Sequence, residues 1–446
     1  MKVSVTYSEI WRISWPIMLS SLANTVINFT DVAFVARIGE TALAASALGG
    51  VFYFLFVMLG VAIGIGSQIL IARRAGEERH SEIGEVFDMS MLVLLLVSLL
   101  MVVFIYSLVP IWVPSIVHDP AVAEMVVQYL FARGWGIVFM MILVGMRSFY
   151  TGITLTRIIT YTTVVMMLLN IVLNYAFVLG GFGVTPMGIA GSGLASALSE
   201  TVAAIYAILY TMNRSILKEY NLFRFTKIRF EGFKQLMVLS SPIILQHFLS
   251  MGAWFLFFLM IEKLGARELA VSNVVRSIYM VLMTPVWGFS QASNSMVSNL
   301  IGQGRSEDVM DMVRKIVRMS FGVGVLSIVL SVVFKTVLFD LSTSDAVIAA
   351  NATGSFYMIC LATLFFSVSM VMLTAVSGTG STTAAMVIEL ISLAVYVGYL
   401  MFFTVYFPQP VVVVWGAEVA YWLLLGVVSY IYLRSGKWKL TALKYN

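Results

Sequence analysis

Residues 13–36 read ISWPIMLSSLANTVINFTDVAFVA, a stretch with no basic side chain and a single acid, Asp31. A helix needs about 20 predominantly apolar residues to cross the hydrocarbon core of a bilayer. The stretch is long enough to cross it, and it is too long for the apolar core of a cleavable signal peptide. We interpret it as the first transmembrane helix of the chain.

Similar apolar segments follow along almost the whole chain. The 446 residues are 60% hydrophobic and only 11% charged, whereas a soluble domain carries roughly a quarter charged residues. The segments are continuously apolar and do not alternate, which favours helices over a transmembrane β-barrel. Twelve membrane spans are predicted, near residues 13–36, 48–71, 89–112, 128–150, 158–180, 188–211, 236–261, 273–296, 316–339, 351–376, 383–405 and 411–433.

The basic residues predict the orientation of the chain, because Lys and Arg concentrate in cytoplasmic loops. With the N-terminus placed inside, 21 of the 27 Lys and Arg residues fall on the inner side and six fall outside or within helices. We therefore predict that both termini lie in the cytoplasm, and we expect the protein to reside in the inner membrane. The basic run of the longest loop, about 213–234, is attributed to this bias and not to nucleic-acid binding.

Little in the sequence indicates an enzyme or a cofactor site. The single cysteine, Cys360, excludes a disulfide framework, and three scattered histidines do not form a metal-binding pattern. The chain has no phosphate-binding loop for ATP and no HExxH or GxSxG motif. We expect a protein that is not an enzyme and carries no cofactor.

The second half of the chain repeats the first. A single ungapped shift places prolines and glycines on residues of the same type, in the pairs Pro16 and Pro242, Gly39 and Gly265, Gly76 and Gly302, and Gly152 and Gly378. Six helices in each half return the chain to its starting side, so the halves share one orientation. The prediction is an all-α polytopic fold of twelve transmembrane helices in two pseudo-symmetric six-helix bundles, 1–212 and 235–446, joined by a cytoplasmic linker, 213–234.

Polar side chains lie on particular faces of the predicted helices. In the first helix Asn24, Asn28 and Asp31 follow at i, i+4 and i+7 and therefore share one face. In the fifth helix Asn170 and Asn174 are also one turn apart. An acid or amide that faces lipid costs several kcal/mol, so these side chains must face protein or water.

Two interpretations of these polar faces remain open. The functional one is a cation site with Asp31 as its only charge, because hard cations such as Na⁺ take oxygen ligands. Burial of the carboxyl group could instead let Asp31 carry a proton. The structural alternative is a hydrogen-bond network that holds helices together. The candidate cation ligands are Asp31, Asn28, Asn170, Asn174 and Ser196.

The repeat restricts where an ion site can lie. Asn24, Asn28 and Asp31 map onto residues of the second half that carry no acid, namely Ser250, Trp254 and Phe257. We therefore expect any ion site to lie in the first half only.

Further polar or aromatic side chains are candidates for a substrate cavity, namely Asn24, Glu200, Gln246, His247, Ser250 and Trp254. His247 could titrate near neutrality or act only as a hydrogen-bonding partner. Each of Glu200, Glu389 and Glu418 could attract a cationic substrate, or could pair with an arginine or reach the membrane interface. The sequence does not choose between these roles.

The sequence resembles the MATE (multidrug and toxic compound extrusion) family of exporters. The resemblance rests on Trp15-Pro16-Ile17-Met18-Leu19, Asn28 to Gly39, Leu43-Ala44-Ala45, Asn170 to Tyr175 and Gly188 to Gly191, and it covers essentially the whole chain. It implies two bundles that export organic cations or other amphipathic compounds in exchange for Na⁺ or H⁺, in a monomer embedded in the lipid bilayer.

The resemblance also implies roles for individual residues. The family's first-helix acid falls on Asp31, its fifth-helix amide on Asn170 and its sixth-helix hydroxyl on Ser196, which makes Asp31 and Asn170 the Na⁺ ligands of a sodium-coupled protein. Many prokaryotic members have a second acid where this chain has Asn174. The acids that some members place in the seventh and tenth helices have no counterpart, because this chain has Ser250 and Phe365-Phe366 there.

Two other functions compete with a cation-coupled multidrug antiporter that works by alternating access. A lipid-linked oligosaccharide flippase of the same superfamily should have a strongly cationic cavity for pyrophosphate, but intramembrane arginines are few, with Arg133 and Arg276 as the candidates. A membrane scaffold or receptor would have no need for Asp31.

Overall fold

The computed structural model of the protein describes residues 2–213, 218–225, 229–343 and 345–442, and within them the chain is helical with no strand. Short 3₁₀ turns lie at Gly181–Gly183 and Ser306–Asp308, and a π-helical turn lies at Phe402–Tyr406. The α-helices are α1 Tyr7–Ala36, α2 Glu40–Gly76, α3 His80–Ser107, α4 Val109–Ile116, α5 Pro120–Gly134, α6 Ile137–Gly152, α7 Arg157–Leu179, α8 Gly188–Met212, α9 Phe230–Glu262, α10 Ala266–Gly302, α11 Val309–Val333, α12 Lys335–Ser342, α13 Ala346–Gly378, α14 Thr382–Met401, α15 Val411–Val414, α16 Gly416–Ser435 and α17 Trp438–Ala442.

The described part of the chain contains eleven helical segments that are long and apolar enough to cross a membrane. α5 and α6 together form a twelfth span, bent by 53° at a short break. The prediction of an all-α, multi-pass membrane protein is therefore confirmed, with eleven spans or with twelve when the bent pair is counted as one.

The fourth predicted span, 128–150, is not one straight helix. It breaks between Gly134 and Ile137, where two glycines weaken the helix by about 1 kcal/mol each relative to alanine. A Cβ atom at Gly136 would lie 2.7 Å from the Cβ atom of Ala197 on α8. The missing side chain thus lets the broken span approach α8 closely, and this approach places Arg133 beside α8.

Equivalent glycines occupy equivalent places in the two halves. Gly39 and Gly265 precede α2 and α10 with φ angles of 142° and 141°, a backbone conformation that only glycine adopts readily. α2 and α10 each contain 37 residues, and they end at Gly76 and Gly302. The helices that follow the two glycines are therefore copies of one another in position and length, as the internal repeat predicts.

The chain forms two compact units. The first unit is Leu19–Ser240, and the second combines Met1–Met18 with Ser241–Asn446. This division differs from the predicted bundles 1–212 and 235–446, because the first turns of α1 belong to the second unit and the first turns of α9 belong to the first unit.

Burial explains why the helix starts are exchanged in this way. Ile10, Ile13 and Ile17 of α1 are fully buried in the hydrophobic core of the second unit. At the start of α9, Leu236 and Leu239 are buried within the first unit. Both helix starts bury apolar side chains, which stabilises each unit by roughly 1.5–3 kcal/mol for each fully buried side chain.

Backbone hydrogen bonds fix the N-terminal segment to the second unit. The Val3 N–H donates to Asn299 Oδ1 at 3.1 Å, and Gln303 Nε2 donates to the Val3 carbonyl at 3.1 Å. Lys315 Nζ donates to the Val5 carbonyl at 3.0 Å. These contacts hold residues that precede the first span, and hydropathy gives no sign of them.

The predicted linker 213–234 is tied to the first unit where it is described. Residues 214–217 and 226–228 lie outside the described residues, and the last predicted linker residues are the first turn of α9. Asp88 on α3, which is buried, accepts hydrogen bonds from three successive backbone N–H groups, those of Phe223, Arg224 and Phe225, at 2.8, 2.9 and 2.8 Å. One carboxylate thereby anchors the middle of the linker.

Candidate cation-binding site

Three helices of the first unit bring an acid and three neutral oxygen donors together. α1 contributes Asp31, α7 contributes Asn170 and Asn174, and α8 contributes Ser196. α7 and α8 lie antiparallel because the chain reverses after Gly180, whose φ of 77° lies in the left-handed region. The two asparagines lie one turn apart on the face of α7 that is turned toward Asp31 and Ser196.

Hydrogen bonds hold both oxygens of the Asp31 carboxyl group. Asn174 Nδ2 donates to Asp31 Oδ1 at 2.7 Å, and Ser196 Oγ donates to Asp31 Oδ2 at 3.2 Å. Asn170 Nδ2 donates to Ser196 Oγ at 3.3 Å. Asn174 Nδ2 also lies 3.0 Å from the carbonyl oxygen of Asn170. The acid therefore faces polar protein groups and not lipid.

Two amide oxygens in this cluster have no hydrogen-bond partner within the described residues. They are Asn170 Oδ1 and Asn174 Oδ1, on side chains that are 1% and 0% exposed. A buried acceptor without a partner costs roughly 1–3 kcal/mol. Unsatisfied amide oxygens beside a carboxylate can be satisfied by a hard cation or by an acidic proton.

The donor set fits a monovalent cation better than a divalent one. Asp31 supplies one negative charge, and Asn170, Asn174 and Ser196 supply neutral oxygens. The described residues contain no group of three or more His, Cys, Asp or Glu side chains that could hold a metal ion. One carboxylate with amide and hydroxyl oxygens can balance Na⁺, and no soft ligand is present in this described cluster for a transition metal.

Asn24 and Asn28, which share the polar face of the first helix in the sequence, are not in the cluster. Asn28 was predicted as a cation ligand, but it is exposed, and Asn24 is half-buried. No hydrogen bond in the described part of the chain joins either residue to Asp31. Asn28 lies about 60° around the helix axis from Asp31, since each residue turns the helix by about 100°.

Glu200, a candidate for the substrate cavity, forms a buried ion pair in the same unit. Its Oε1 lies 3.0 Å from Arg133 Nη2, and its Oε2 accepts a hydrogen bond of 2.9 Å from the Tyr53 hydroxyl. The Arg133 guanidinium carbon lies 4.1 Å from the centre of the Tyr53 ring. Of the roles that the sequence left open for Glu200, the structure shows the pairing with an arginine. Tyr53 gave no signal in the sequence, because tyrosines are common throughout the chain.

The candidates of the second unit gather around another acid, Glu389 on α14. Ser250 Oγ lies 2.6 Å from Glu389 Oε1, and Gln246 Nε2 lies 3.4 Å from Glu389 Oε2. The Tyr421 hydroxyl also donates to Glu389 Oε1. His247, next to Gln246 on α9, makes no hydrogen bond with any described residue. Gln246 and Ser250 are thus partners of an acid whose role the sequence left open.

Glu418 on α16 is surrounded by aromatic hydrogen-bond donors. It accepts hydrogen bonds from the Tyr396 hydroxyl at 3.0 Å, the Tyr279 hydroxyl at 3.1 Å and Trp422 Nε1 at 3.1 Å. Trp254, another cavity candidate, packs against the Phe258 ring with centres 5.9 Å apart. Sequence reasoning missed the donors around Glu418, because nothing distinguishes them from aromatic residues that face lipid.

Comparison with known proteins gives consistent matches along the chain. The family model described as MatE matches residues 16–176 and 242–401, two stretches that begin one repeat distance apart. A protein of Photorhabdus laumondii described as a probable multidrug resistance protein NorM is 25% identical over 359 residues, which are 79% of this chain and 78% of that protein. A protein of the same description from Agrobacterium fabrum is 24% identical over 65% of this chain and 62% of its own length.

The fold is also similar to solved structures. A crystal structure described as MATE in complex with MaL6 superposes on this chain with a TM-score of 0.89 and 20% sequence identity. The superposition covers 98% of this chain and 97% of the other. The shared fold therefore includes both units and is not confined to one of them.

Proposed function

The chain belongs to the MatE family, and from this premise we propose that it exports small amphipathic or cationic organic compounds in exchange for a cation, Na⁺ or H⁺. The family match covers both halves, so the resemblance noted from the sequence is confirmed. Relatives described as probable multidrug resistance proteins support an efflux function. Members of this family are transporters and not enzymes, in agreement with the absence of catalytic motifs from the sequence.

The observation that carries the proposal is the Asp31 cluster with its two unsatisfied amide oxygens. Asp31 supplies the charge that attracts the cation, and Asn170, Asn174 and Ser196 supply the neutral oxygens. Asp31 and Asn170 are the proposed Na⁺ ligands if the coupling ion is sodium. An acid inside the membrane is energetically costly, so its presence there indicates a function, and cation-coupled antiport would use this acid.

The position of the ligands on three helices explains how ion binding could drive a conformational change. Within the described residues, hydrogen bonds from Asn174 and Ser196 hold the Asp31 carboxyl group, whereas a bound cation would draw oxygens from α1, α7 and α8 toward one point. The packing of these helices then depends on whether the site is loaded. Binding shifts the balance between inward-open and outward-open states only by the difference in ion affinity between them.

The same cluster can accept a proton in place of Na⁺. A protonated Asp31 gains one O–H donor, and the amide oxygens of Asn170 and Asn174 are free to accept it. The two loading modes differ in their dependence on pH and on sodium concentration, so separate gradients of the two ions distinguish them.

We also propose that the protein lies in the inner membrane as a monomer, with both termini in the cytoplasm and with no cofactor or nucleic-acid partner. The distribution of Lys and Arg, 21 of 27 of which fall on one side of the predicted spans, supports the proposed orientation. A flippase for lipid-linked oligosaccharides is less well supported, because Glu200 neutralises the buried Arg133 that could have bound pyrophosphate.

The test is substrate-stimulated ion flux in proteoliposomes, with tetraphenylphosphonium and ethidium as probe substrates. A sodium gradient and a pH gradient are imposed in separate experiments. We expect one gradient to drive accumulation of the probe and the probe to stimulate counterflow of that ion. The proposal is overturned if neither gradient moves either probe while reconstituted protein is correctly oriented and folded.

A further inference from the structure

The second unit contains a buried acid on the same set of three helices that forms the Asp31 cluster in the first unit. The internal repeat relates α1 to α9, α7 to α14, and α8 to α16. Glu389 lies on α14 and is 3% exposed. Its neighbours are Gln246 and Ser250 on α9 and Tyr421 on α16. An acid thus lies at the meeting point of these three helices in each unit.

The two acids occupy different positions of the repeat. Glu389 corresponds to Thr163, and Gln246 corresponds to Ser20. In the first unit Ser20 Oγ and Thr163 Oγ1 form a hydrogen bond of 2.7 Å, and in the second unit Gln246 and Glu389 form the contact at the same positions. The residue of the second half that corresponds to Asp31 is Phe257, which is not an acid. For this reason the sequence led us to expect an ion site in the first half alone.

No basic side chain neutralises Glu389 within the described residues. All of its hydrogen-bond partners are neutral, and it takes part in no ion pair there. Taking an ionised carboxylate out of water without a counter-charge costs several kcal/mol even after relaxation of the surroundings. The neutral surroundings therefore favour the protonated acid over the bare carboxylate.

The oxygen geometry around Ser250 also favours a proton on Glu389. Ser250 Oγ has one hydrogen but lies within hydrogen-bond distance of two acceptors, the Gln246 carbonyl oxygen at 2.9 Å and Glu389 Oε1 at 2.6 Å. If the serine hydrogen is directed at the carbonyl, the 2.6 Å contact needs a hydrogen from Glu389. A protonated Glu389 then donates to Ser250 Oγ, and every oxygen has a partner.

Glu418, the other buried acid of this unit, differs from Glu389 in its partners. Trp422 Nε1 can donate but cannot accept a hydrogen bond, so it cannot receive a proton from Glu418 as Ser250 can from Glu389. The Tyr279, Tyr396 and Trp422 donors to Glu418 are buried, whereas Gln246 and Ser250 beside Glu389 are partly exposed. Gln246 and Ser250 therefore place polar atoms between Glu389 and the surface of the unit.

We propose that Glu389 is a second ion-loading site, which binds a proton in the second unit. Protonation is stabilised by hydrogen bonds to Ser250 and Tyr421. Loss of the proton places an uncompensated charge between α9, α14 and α16, and the Ser250 hydroxyl must then turn from the Gln246 carbonyl toward Glu389. Only the use of this proton in transport rests on the proposed antiport. The proton site itself can be measured without transport.

The groups that could alter this titration are few. On α16, Tyr421 contacts Glu389 directly, and Glu418 is the other acid of that helix. On α9, His247 follows Gln246 in the sequence and makes no hydrogen bond to a described residue. The adjoining helix α13, residues 346–378, contains no charged side chain or histidine. The π-helical turn after α14 adds only Tyr406. The proton equilibrium of Glu389 is thus set chiefly by its own burial and hydroxyl partners.

The experiment counts protons bound by the purified protein in detergent between acidic and alkaline pH, and records infrared difference spectra of protonated carboxyl groups. Wild type is compared with Glu389→Gln and with Glu418→Gln as a matched buried acid. We expect Glu389→Gln to remove about one titrating proton per chain and its infrared band, and Glu418→Gln to remove neither. An unchanged proton count and band in Glu389→Gln would overturn the proposal.

Two milder variants keep the test decisive if Glu389→Gln does not fold. Ser250→Ala and Tyr421→Phe leave the acid in place and remove one hydroxyl partner each, so we expect the carboxyl band to titrate at a different pH in both. Identical titration in both variants would contradict the proposed role. If Glu389 titrates as expected but neither ion gradient drives export, the proposed antiport fails and the proton site stands.

Discussion

Replacing Asp31 by asparagine tests the first-unit cation site most directly. The substitution keeps the shape of the side chain and removes only its charge. Asn174, now 2.7 Å from Oδ1, can donate to the new amide oxygen, and the new amide NH₂ group at the Oδ2 position can donate to Ser196 Oγ, now 3.2 Å away. Hydrogen bonds to a charged group contribute roughly 1.5–3 kcal/mol and neutral ones roughly 0.5–1.5 kcal/mol, but the variant also avoids burying a charge. We therefore expect a stability change of only about 1–2 kcal/mol.

The effect on cation binding should be far larger. Two unit charges about 4 Å apart interact with about 4 kcal/mol at an effective dielectric constant of about 20. Loss of this interaction lowers the affinity for a monovalent cation by roughly a thousand-fold, since about 1.4 kcal/mol corresponds to a factor of ten. At any cation concentration that half-saturates the wild type, the variant is essentially unloaded, so gradient-driven export should fall to background.

The measurement combines cation binding by isothermal calorimetry with gradient-driven transport of tetraphenylphosphonium in proteoliposomes. Asp340→Asn serves as the matched control, because Asp340 is exposed in the second unit. We expect the control to bind and transport as the wild type does, and Asp31→Asn to fold but do neither. Export by Asp31→Asn at the wild-type rate would refute the assignment of Asp31 as the coupling acid.

Three further predictions concern contacts that hold the fold together. Arg133→Met or Glu200→Met alone should lower the free energy of unfolding by about 3–5 kcal/mol, because each leaves a buried charge without its partner. The double variant should lose much less stability, and thermal unfolding in detergent measures the difference. Asp88→Ala removes the acceptor of three backbone N–H groups in the linker, and limited proteolysis by trypsin should cleave the linker at least about ten times faster. Gly39→Ala and Gly265→Ala should each destabilise the protein by about 1–3 kcal/mol, and by similar amounts, because both force a side chain into the same glycine-only conformation.

Each of these predictions has a clear contrary outcome. An additive loss in the double variant would show that the two side chains of the buried pair act independently. Unchanged trypsin cleavage in Asp88→Ala, with Glu262→Gln as an exposed acidic control, would mean that the linker is held by other contacts. Unequal losses at the two glycines would show that the two halves are not equivalent at this turn.

The sequence by itself determined the class of the fold. The number, order and approximate limits of the spans follow from hydropathy, because a segment in lipid must be long, apolar and internally hydrogen-bonded whatever its neighbours are. The duplication follows from Pro and Gly, whose backbone roles are local; Gly39 and Gly265 adopt the same unusual φ for that reason. Asp31 was also recognisable, since an acid in an apolar segment is costly wherever the helix packs.

Partners across helices could not be read from the sequence. Hydropathy does not show that Arg133 meets Glu200, because their contact depends on a bend at Gly134–Gly136 that only packing against α8 reveals. The exchange of helix starts between the two units has the same cause: Ile10 and Leu236 are apolar in either arrangement, and only the shape of the neighbouring surface decides which core receives them.

The two acid clusters show the same division between local and tertiary information. Asn170, Asn174 and Asp31 could be placed on inward faces from helical spacing, but not Asn28, whose exposure depends on which side of α1 is covered. The sequence placed Glu389 within a predicted span but did not show which residues it contacts. Only the tertiary structure decided its surroundings, because its hydrogen bonds join residues 139 and 143 positions away on α9, and side-chain contacts at such separations are set by the packing of helices and not by the residues along any one of them.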